Sequence, residues 1–329
     1  MPHFNLLKFG FRFALGLSLI FGAVLQLTHA QSFPTKPVKI VVPSAPGGGT
    51  DIIGRMIAQN FSKAFGQSFY VENKAGAGNM IGIEYVAKSA ADGYTLLFVP
   101  STLVLNPILY KTVNYDPIKN FSPISMVATT PNILVVNPNV KASHLKDFIS
   151  LAKDAPGKLN YSSAGVGTSP HMSMELFNHM SNIQTRHIPY KGTTPAVNDL
   201  LGGQVDAMFS NALTVMPLIQ AGRLRPLAVS GSKRLNLLPE VPTVMEAGVP
   251  GYVAVQWYGL LAPAGTPAAI VKLLHAQMVK ALDTKEIREK LLSEGAEPVG
   301  SSPLEFENLI KTDFLKWSSV AKTAGIKPQ

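Results

Sequence analysis

The sequence predicts an α/β protein made of two doubly wound sheets joined by two crossover strands, with a cleft between the halves. Three observations carry this expectation. Short apolar runs alternate with helical periods in two successive blocks, and each block has a glycine-rich turn directly after its first strand. Two long extended segments flank the second block. Alternating strand and helix is the pattern of a parallel sheet covered by helices. In such folds ligands bind where strand ends and helix N-termini meet.

Taken in order, residues 38–43 read as a buried strand, 50–65 as a helix and 69–72 as a second strand. A helix over 82–89 and a strand over 94–99 follow, ending at Pro100-Ser101-Thr102. The extended segment 124–137 is interrupted by Pro131 and reads as the first crossover. The second block has helices at 145–153, 170–180 and 195–201, and strands at 160–163, 185–190 and 206–209. A second extended segment, 252–262, returns the chain to the first half, and helices over 267–282, 284–293 and 303–321 complete it. The expected division is 31–131 with 252–329 as one lobe and 132–251 as the other.

Residues 1–30 read as a secretory signal peptide. Lys8 and Arg12 are the only Lys or Arg residues before position 36, and no acid precedes Asp51. An apolar run over 13–27 leads to Thr28-His29-Ala30, small residues at −3 and −1 of a cleavage point near Ala30. A run of about 15 residues is short of the roughly 20 needed to span a bilayer.

The 329-residue chain is 46% hydrophobic, which excludes general disorder. It has no cysteine, which excludes disulfides, thiolate metal sites and cysteine nucleophiles. Its formal net charge is +9, and loss of the leader leaves about +7. The lysines are scattered, with no arginine-rich run and no aromatic interleaving, so nucleic acid is not the expected partner. A mild positive field helps to gather small anions.

The first glycine-rich turn, Pro43-Ser44-Ala45-Pro46-Gly47-Gly48-Gly49-Thr50-Asp51, lies between strand and helix. Glycines let backbone N–H groups approach a ligand, and the helix start adds unpaired donors and a positive dipole end. The turn reads as a cradle for a carboxylate or phosphate, or as a merely tight connection. Dinucleotide binding is disfavoured because the glycine spacing fails, although Glu72 closes the second strand, and the Walker lysine is absent. The second turn runs from Ser162 and Ser163 through Gly165, Gly167 and Thr168 to His171, and is suited to converging hydrogen bonds on one anion.

His171 and Glu175 are four apart on a helix, but spacing supplies no third metal ligand. No nucleophile elbow or zincin motif is present, and His144, His179, His187 and His275 are isolated in sequence. Tyr190 and Lys191 end a strand and could face the cleft, with Lys191 as countercharge or simply solvated. Ser101 and Thr102 complete the rim on the first half. Trp257 and Tyr258 lie on the return crossover, where an aromatic could close over a ligand or pack in the core.

The motifs as a set are familiar. Residues 34–43 (PTKPVKIVVP) with Pro46-Gly47-Gly48-Gly49-Thr50-Asp51 resemble the opening of the Bug family, periplasmic solute receptors of tripartite tricarboxylate transporters. The similarity continues through Val71-Glu72-Asn73-Lys74-Ala75-Gly76-Ala77-Gly78, Ala91-Asp92-Gly93-Tyr94-Thr95 and Tyr115-Asp116-Pro117. It resumes at Pro189-Tyr190-Lys191-Gly192, Gly203-Gln204-Val205-Asp206, Leu238-Pro239-Glu240-Val241-Pro242-Thr243 and Ala262-Pro263-Ala264-Gly265-Thr266-Pro267, spanning essentially the whole mature chain.

The resemblance implies a two-lobe periplasmic binding protein of type II that closes around its ligand. It implies a carboxylate gripped through backbone groups and two ordered waters. Carried over, this points to Gly48, Gly49, Thr50 and Asp51 on one loop and to Ser163, Gly165, Gly167 and Thr168 on the other, with His171 in support. Phe33 and Asn79 depart from the usual Tyr and Gly. The expected protein is a soluble, monomeric, non-enzymatic receptor without cofactor or metal, delivering its solute to membrane transporter subunits. The ligand is a di- or tricarboxylate, an acidic amino acid or an aromatic carboxylate. The rival expectation is a secreted hydrolase on a doubly wound scaffold.

Overall fold

Strand β1 (Val38–Val42) is apolar along almost its whole length because it is flanked on both edges and covered on both faces. The computed structural model describes residues 33–328 other than Ala45, Gly48, Lys191, Gly192 and Glu294. The expected leader with its cleavage point, and the expected ligand contacts Gly48 and Lys191, lie outside the described residues.

The chain continues through helix α1 (Gly49–Phe65), β2 (Phe69–Asn73), a short 3-10 turn, α2 (Met80–Ala87), β3 (Thr95–Pro100) and α3 (Thr102–Leu109). The 16-residue β4 (Phe121–Val136) leads to α4 (Leu145–Asp154), β5 (Asn160–Ser163), α5 (Ser169–Ser181), β6 (Arg186–Pro189) and α6 (Thr193–Leu201). Then come β7 (Ala207–Asn211), α7 (Ala212–Gln220), β8 (Arg225–Val229) and the long β9 (Val255–Pro263). The chain ends with α8 (Ala268–Leu282), α9 (Lys285–Ser293), the short β10 (Glu297–Pro298) and α10 (Pro303–Thr323).

The strand order is β2-β1-β3-β9-β4-β7-β5-β6, with β8 and β10 also paired to β4. Each end of this path is a parallel trio, β2-β1-β3 and β7-β5-β6. Between them β4 changes neighbours. Its residues 121–131 pair antiparallel with β9, and residues 132–136 pair with β7 and β8. Pro131, which has no N–H to give a ladder, stands at the change. Beyond it fully buried Ser230 ties the two crossing segments. Asn132 N donates to Ser230 Oγ (2.7 Å), which donates to Ala254 O (2.6 Å), while Ser230 N donates to Asn132 O (2.8 Å) and Ala254 N to Ser230 O (2.9 Å).

Two helices, α3 and α7, are absent from the sequence reading. Each is short and contains a proline, Pro107 and Pro217, that reads as a breaker when tertiary packing is unknown. Ser101 and Thr102 therefore open a helix where the sequence indicated only a strand end.

Helix α10 is started by a reciprocal cap. Ser302 Oγ accepts from Glu305 N (3.2 Å), and Glu305 Oε2 accepts from Ser302 N (2.8 Å). The helix lies against β4, α3 and α5, so it touches elements from both blocks. Its Phe306 sits edge-on to Trp257 at 5.2 Å, in space that only a glycine at 259 leaves free. A Cβ at Gly259 would stand 2.1 Å from Phe306 Cζ. Gly259→Ala should therefore lower stability by about 1–3 kcal/mol, as expected of an overpacked core. Phe306→Leu in the same chain should recover part of that loss. A urea midpoint unchanged by Gly259→Ala would contradict this packing.

Candidate functional site

The loop from Pro43 to Asp51 is held from within by one carboxylate. Asp51 is buried and accepts from Gly47 N (2.9 Å), Arg55 Nε (2.9 Å) and Asn73 Nδ2 (2.8 Å). The Asn73 amide reaches on to Ser44 O (3.0 Å), and its oxygen accepts from the Arg55 guanidinium (2.8 Å). Gly47 takes φ +84°, which a side chain would resist, and this turns the loop back onto Asp51. Burial pushes the Asp51 pKa up, but the bonds from Arg55, Gly47 N and Asn73 outweigh it and hold the group below the ordinary carboxylate range. Asp51 is thus committed to its own loop. What the loop offers outward is the start of α1 at Gly49 and Thr50, where the first-turn N–H groups and the helix dipole favour an anion.

Tyr258 adjoins this helix start. A Cβ on Gly49 would lie 3.5 Å from Tyr258 Oη, which accepts from Gln256 Nε2 (2.9 Å). The ring stacks over Phe98 at 6.3 Å. Tyr258 and Gln256 belong to β9 opposite Ala128 and Thr130, close to the point where β4 changes neighbours. Nearby, Thr102 Oγ1 accepts from Asn79 Nδ2 (2.9 Å), and Ser101 O accepts from Val104 N (3.1 Å) in the first turn of α3.

The second loop joins β5 to α5 and is also held from within. Gly165 N donates to the fully buried Ser163 Oγ (3.1 Å), and Gly167 N donates to His171 Nδ1 (3.0 Å). Thr168 Oγ1 donates to Gly165 O (2.8 Å). Ser163 Oγ also lies 2.7 Å from His187 Nε2. Gly165 and Gly167 have φ +135° and +79°. A Cβ on Gly167 would stand 2.3 Å from Leu109 Cδ1, which brings this loop against the end of α3. Asn132 Nδ2, at the crossing, donates to Ser169 Oγ (2.9 Å) and Ser173 Oγ (3.1 Å) and so fixes the first turn of α5.

Behind the loop three rings stack, Tyr161 and His171 buried and His187 half-buried. His171 and His187 are 4.0 Å apart and nearly parallel, and Tyr161 lies 4.8 Å from His187 as its register partner across β5 and β6. Burial pushes the His187 pKa down to about 4, and burial plus the neighbouring His187 push His171 down to about 3. The Tyr161 hydroxyl is bonded to Glu175, whose pKa burial pushes up. His171 and Glu175, weighed above as metal ligands, are therefore each engaged elsewhere. Among the described residues no group of three or more His, Cys, Asp or Glu side chains stands where it could hold a metal ion.

The chain matches the family described as "Tripartite tricarboxylate transporter family receptor" over residues 53–326. It belongs to that family. It is 36% identical to BugT of Bordetella pertussis, over 95% of this chain and 97% of BugT. The R. palustris protein Rpa4515, solved with adipate, is 38% identical with a TM-score of 0.77, covering 90% of this chain and all of that one. MatC from Rhodopseudomonas palustris, solved with bound malate, is 33% identical with a TM-score of 0.72, covering 88% and 99%. The α/β architecture is accordingly that of the family's periplasmic binding proteins, and the protein is a solute-binding receptor.

Within this receptor the expected contacts fall into groups. Gly49 and Thr50 meet Tyr258 at one loop, and Asp51 is turned inward there. Ser163, Gly165, Gly167 and Thr168 form the other loop, but the N–H groups of both glycines are already bonded within it. Tyr190 adjoins this loop through its backbone, with N donating to Ser163 O (3.1 Å) and O lying 3.4 Å from a Cβ on Gly165. Its hydroxyl donates to Asp199 Oδ2 (2.6 Å), and burial with that bond pushes its pKa up to about 12. Trp257 joins neither group. It is fully buried, Nε1 donates to Asp313 Oδ2 (2.8 Å), and its ring meets Phe306. On a strand successive residues face opposite sides, so Tyr258 reaches Gly49 because Trp257 faces the core.

From sequence His187 reads as isolated, and Asn73 and Asn132 carry no site role. Nothing local marks them, because their hydrogen-bond partners lie 18 to 98 residues away in the chain.

Two outcomes follow. Asp51→Asn replaces one acceptor oxygen with a donor that faces donors, so stability should fall by about 1–3 kcal/mol; an unchanged melting midpoint would contradict this loop frame. The histidines, neutral when folded and near 6.5 when unfolded, contribute stability that is complete above pH 6.5 and is lost as pH falls toward 4 and then 3. Glu175 acts in the opposite sense over part of that range, so the test is a comparison. The melting midpoint of His171→Phe should fall less steeply than wild type between pH 6.5 and 4.5, and equal slopes would contradict the assignment.

Proposed function

We propose that this receptor is a monomeric periplasmic protein, released by cleavage near Ala30, that captures one small carboxylate between its two glycine-rich loops. It delivers that solute to the membrane subunits of a tripartite transporter. The chain up to 131 and from 252 acts as one lobe and 132–251 as the other, with the crossing of β4 and β9 between them. The ligand, by bridging both loops, shifts an open–closed equilibrium toward the closed form, the form a transporter recognises.

The observation that carries this reading is the direction of the polar side chains at the two loops. Asp51, Ser163, Thr168 and His171 are each bonded to their own loop or its frame, and Arg55 pairs the Asp51 charge. The start of α1 offers first-turn N–H groups and a dipole end, and the start of α5, where Pro170 has no N–H and Thr168 N is bonded to Gly165 O, offers chiefly its dipole end; both suit a carboxylate. The adipate and malate held by relatives are of that class. With Trp257 in the core, the aromatic side chain at the loop is Tyr258.

A binding role without turnover is supported by the chemistry of Ser163. A nucleophilic serine needs exposure and a base that accepts its proton. Ser163 is fully buried, and its oxygen already accepts from Gly165 N.

The test is a thermal-shift panel of adipate, malate, glutamate and benzoate against their amides. A ligand at about 100 times its Kd should stabilise the protein by about 2.7 kcal/mol. A rise confined to carboxylates is expected. No shift with any carboxylate, together with turnover of an ester, would replace this reading with hydrolysis.

A further inference from the structure

We propose that His187 and His171 are positioning residues for the second loop: His171 holds Gly167 N directly, His187 holds Ser163 Oγ, which in turn holds Gly165 N, and their mutual stacking fixes the spacing between the two holds. The proposal rests on the receptor reading for its consequence in binding, but its structural half stands apart from it.

Ser163 Oγ has one proton and two acceptor positions. It accepts from Gly165 N at 3.1 Å, lies 3.0 Å from Gly165 O and lies 2.7 Å from His187 Nε2. If the hydroxyl gave its proton to His187, the 3.0 Å approach of Ser163 Oγ to Gly165 O would become a contact between two acceptors, although that carbonyl would keep its bonds from Thr168 Oγ1 and N. If His187 Nε2–H donates instead, the hydroxyl accepts twice and donates to Gly165 O, so all three contacts are satisfied at once. The same reasoning fixes His171, whose Nδ1 accepts from Gly167 N and must be bare, leaving the proton on Nε2. Both rings are then neutral Nε2–H tautomers. Their lowered pKa values, about 4 and about 3, agree with neutrality across the ordinary range.

Geometry makes the two rings a unit. They stack at 4.0 Å with an angle of 20°, and Tyr161 closes the stack on His187 at 4.8 Å. One ring comes from β6 and the other from α5, so the loop between β5 and α5 is gripped from both sides. The held residues, Gly165 and Gly167, are those with positive φ. A loop rich in small residues has many accessible conformations, and these two bonds remove freedom that binding would otherwise have to remove. The histidines thus act on the ligand through the loop, without touching it.

Four variants separate the bonds from the stacking. His187→Phe and His171→Phe keep a flat ring and lose the bond. His187→Gln returns a polar group near the Nε2 position, and His171→Asn returns an acceptor near Nδ1. Two readouts apply to the full mature protein: amide hydrogen exchange over residues 163–168, and affinity for adipate and malate by calorimetry. In each Phe variant exchange in this segment should rise at least tenfold and affinity fall at least tenfold, with exchange elsewhere unchanged and substantial recovery in the Gln and Asn variants. Nitrogen chemical shifts of the wild-type rings should report Nε2–H in both.

Unchanged exchange over 163–168 in the Phe variants would overturn the proposal, as would an Nδ1–H tautomer at His171. Faster exchange with no loss of affinity would overturn the link to binding. If exchange rises but wild type binds no carboxylate in the panel above, it is the receptor reading that fails, while the hold on the loop stands.

Discussion

Backbone N–H groups gathered at two strand-to-helix turns need partners, and the partner each one takes governs the rest of this receptor. At the first turn Asp51 satisfies Gly47 N, and Arg55 and Asn73 keep the carboxylate ionised and fixed. At the second, Ser163 and His171 satisfy Gly165 N and Gly167 N. The two solutions differ in chemistry. One uses a charge that is neutralised on the spot, and the other uses neutral groups throughout. In both, the polar side chains of the turn are bonded within the turn or its frame. An anion held by backbone donors and dipole ends, as proposed above, needs no salt bridge, which keeps its desolvation cost low and its release easy.

The crossing of β4 and β9 carries residues that adjoin each of these turns. Tyr258, at the first turn, lies on β9, and Asn132, which anchors the first turn of α5, lies on β4 just beyond Pro131. Ser230 binds both strands' continuations through four hydrogen bonds. Because α10 packs on β4, α3 and α5 together, movement of one block relative to the other must be accommodated along this helix as well as at the crossing.

Much of this was legible in the sequence. Alternating apolar runs gave the parallel trios, since β1 and β3 are continuous apolar segments and need no long-range knowledge to recognise. The glycine-rich turns marked both loops, because positive φ at Gly47, Gly165 and Gly167 leaves a compositional trace. The helices with Pro107 and Pro217 were not legible, because local propensity opposes them and packing overrides it. At the site, residue type led toward Trp257, whereas strand parity decides which of Trp257 and Tyr258 faces the loop. Parity depends on register, and register depends on partners distant in the chain. His187 was invisible for the same reason: its meaning comes from pairing with Tyr161 across a parallel ladder.

The central claim is that one carboxylate engages both turns at once and so draws the two halves together. The chain has no cysteine, so labels can be placed on introduced cysteines with no competing native thiol. We would attach spin labels at Lys63→Cys on α1 and Asn198→Cys on α6, both exposed, and measure their distance distribution by pulsed electron resonance. With a saturating carboxylate the distribution should shift to shorter distance and narrow, and with the matched amide it should stay as in the free protein. A distribution unchanged at proven saturation would mean the ligand engages one turn alone, and the account would be wrong at its centre.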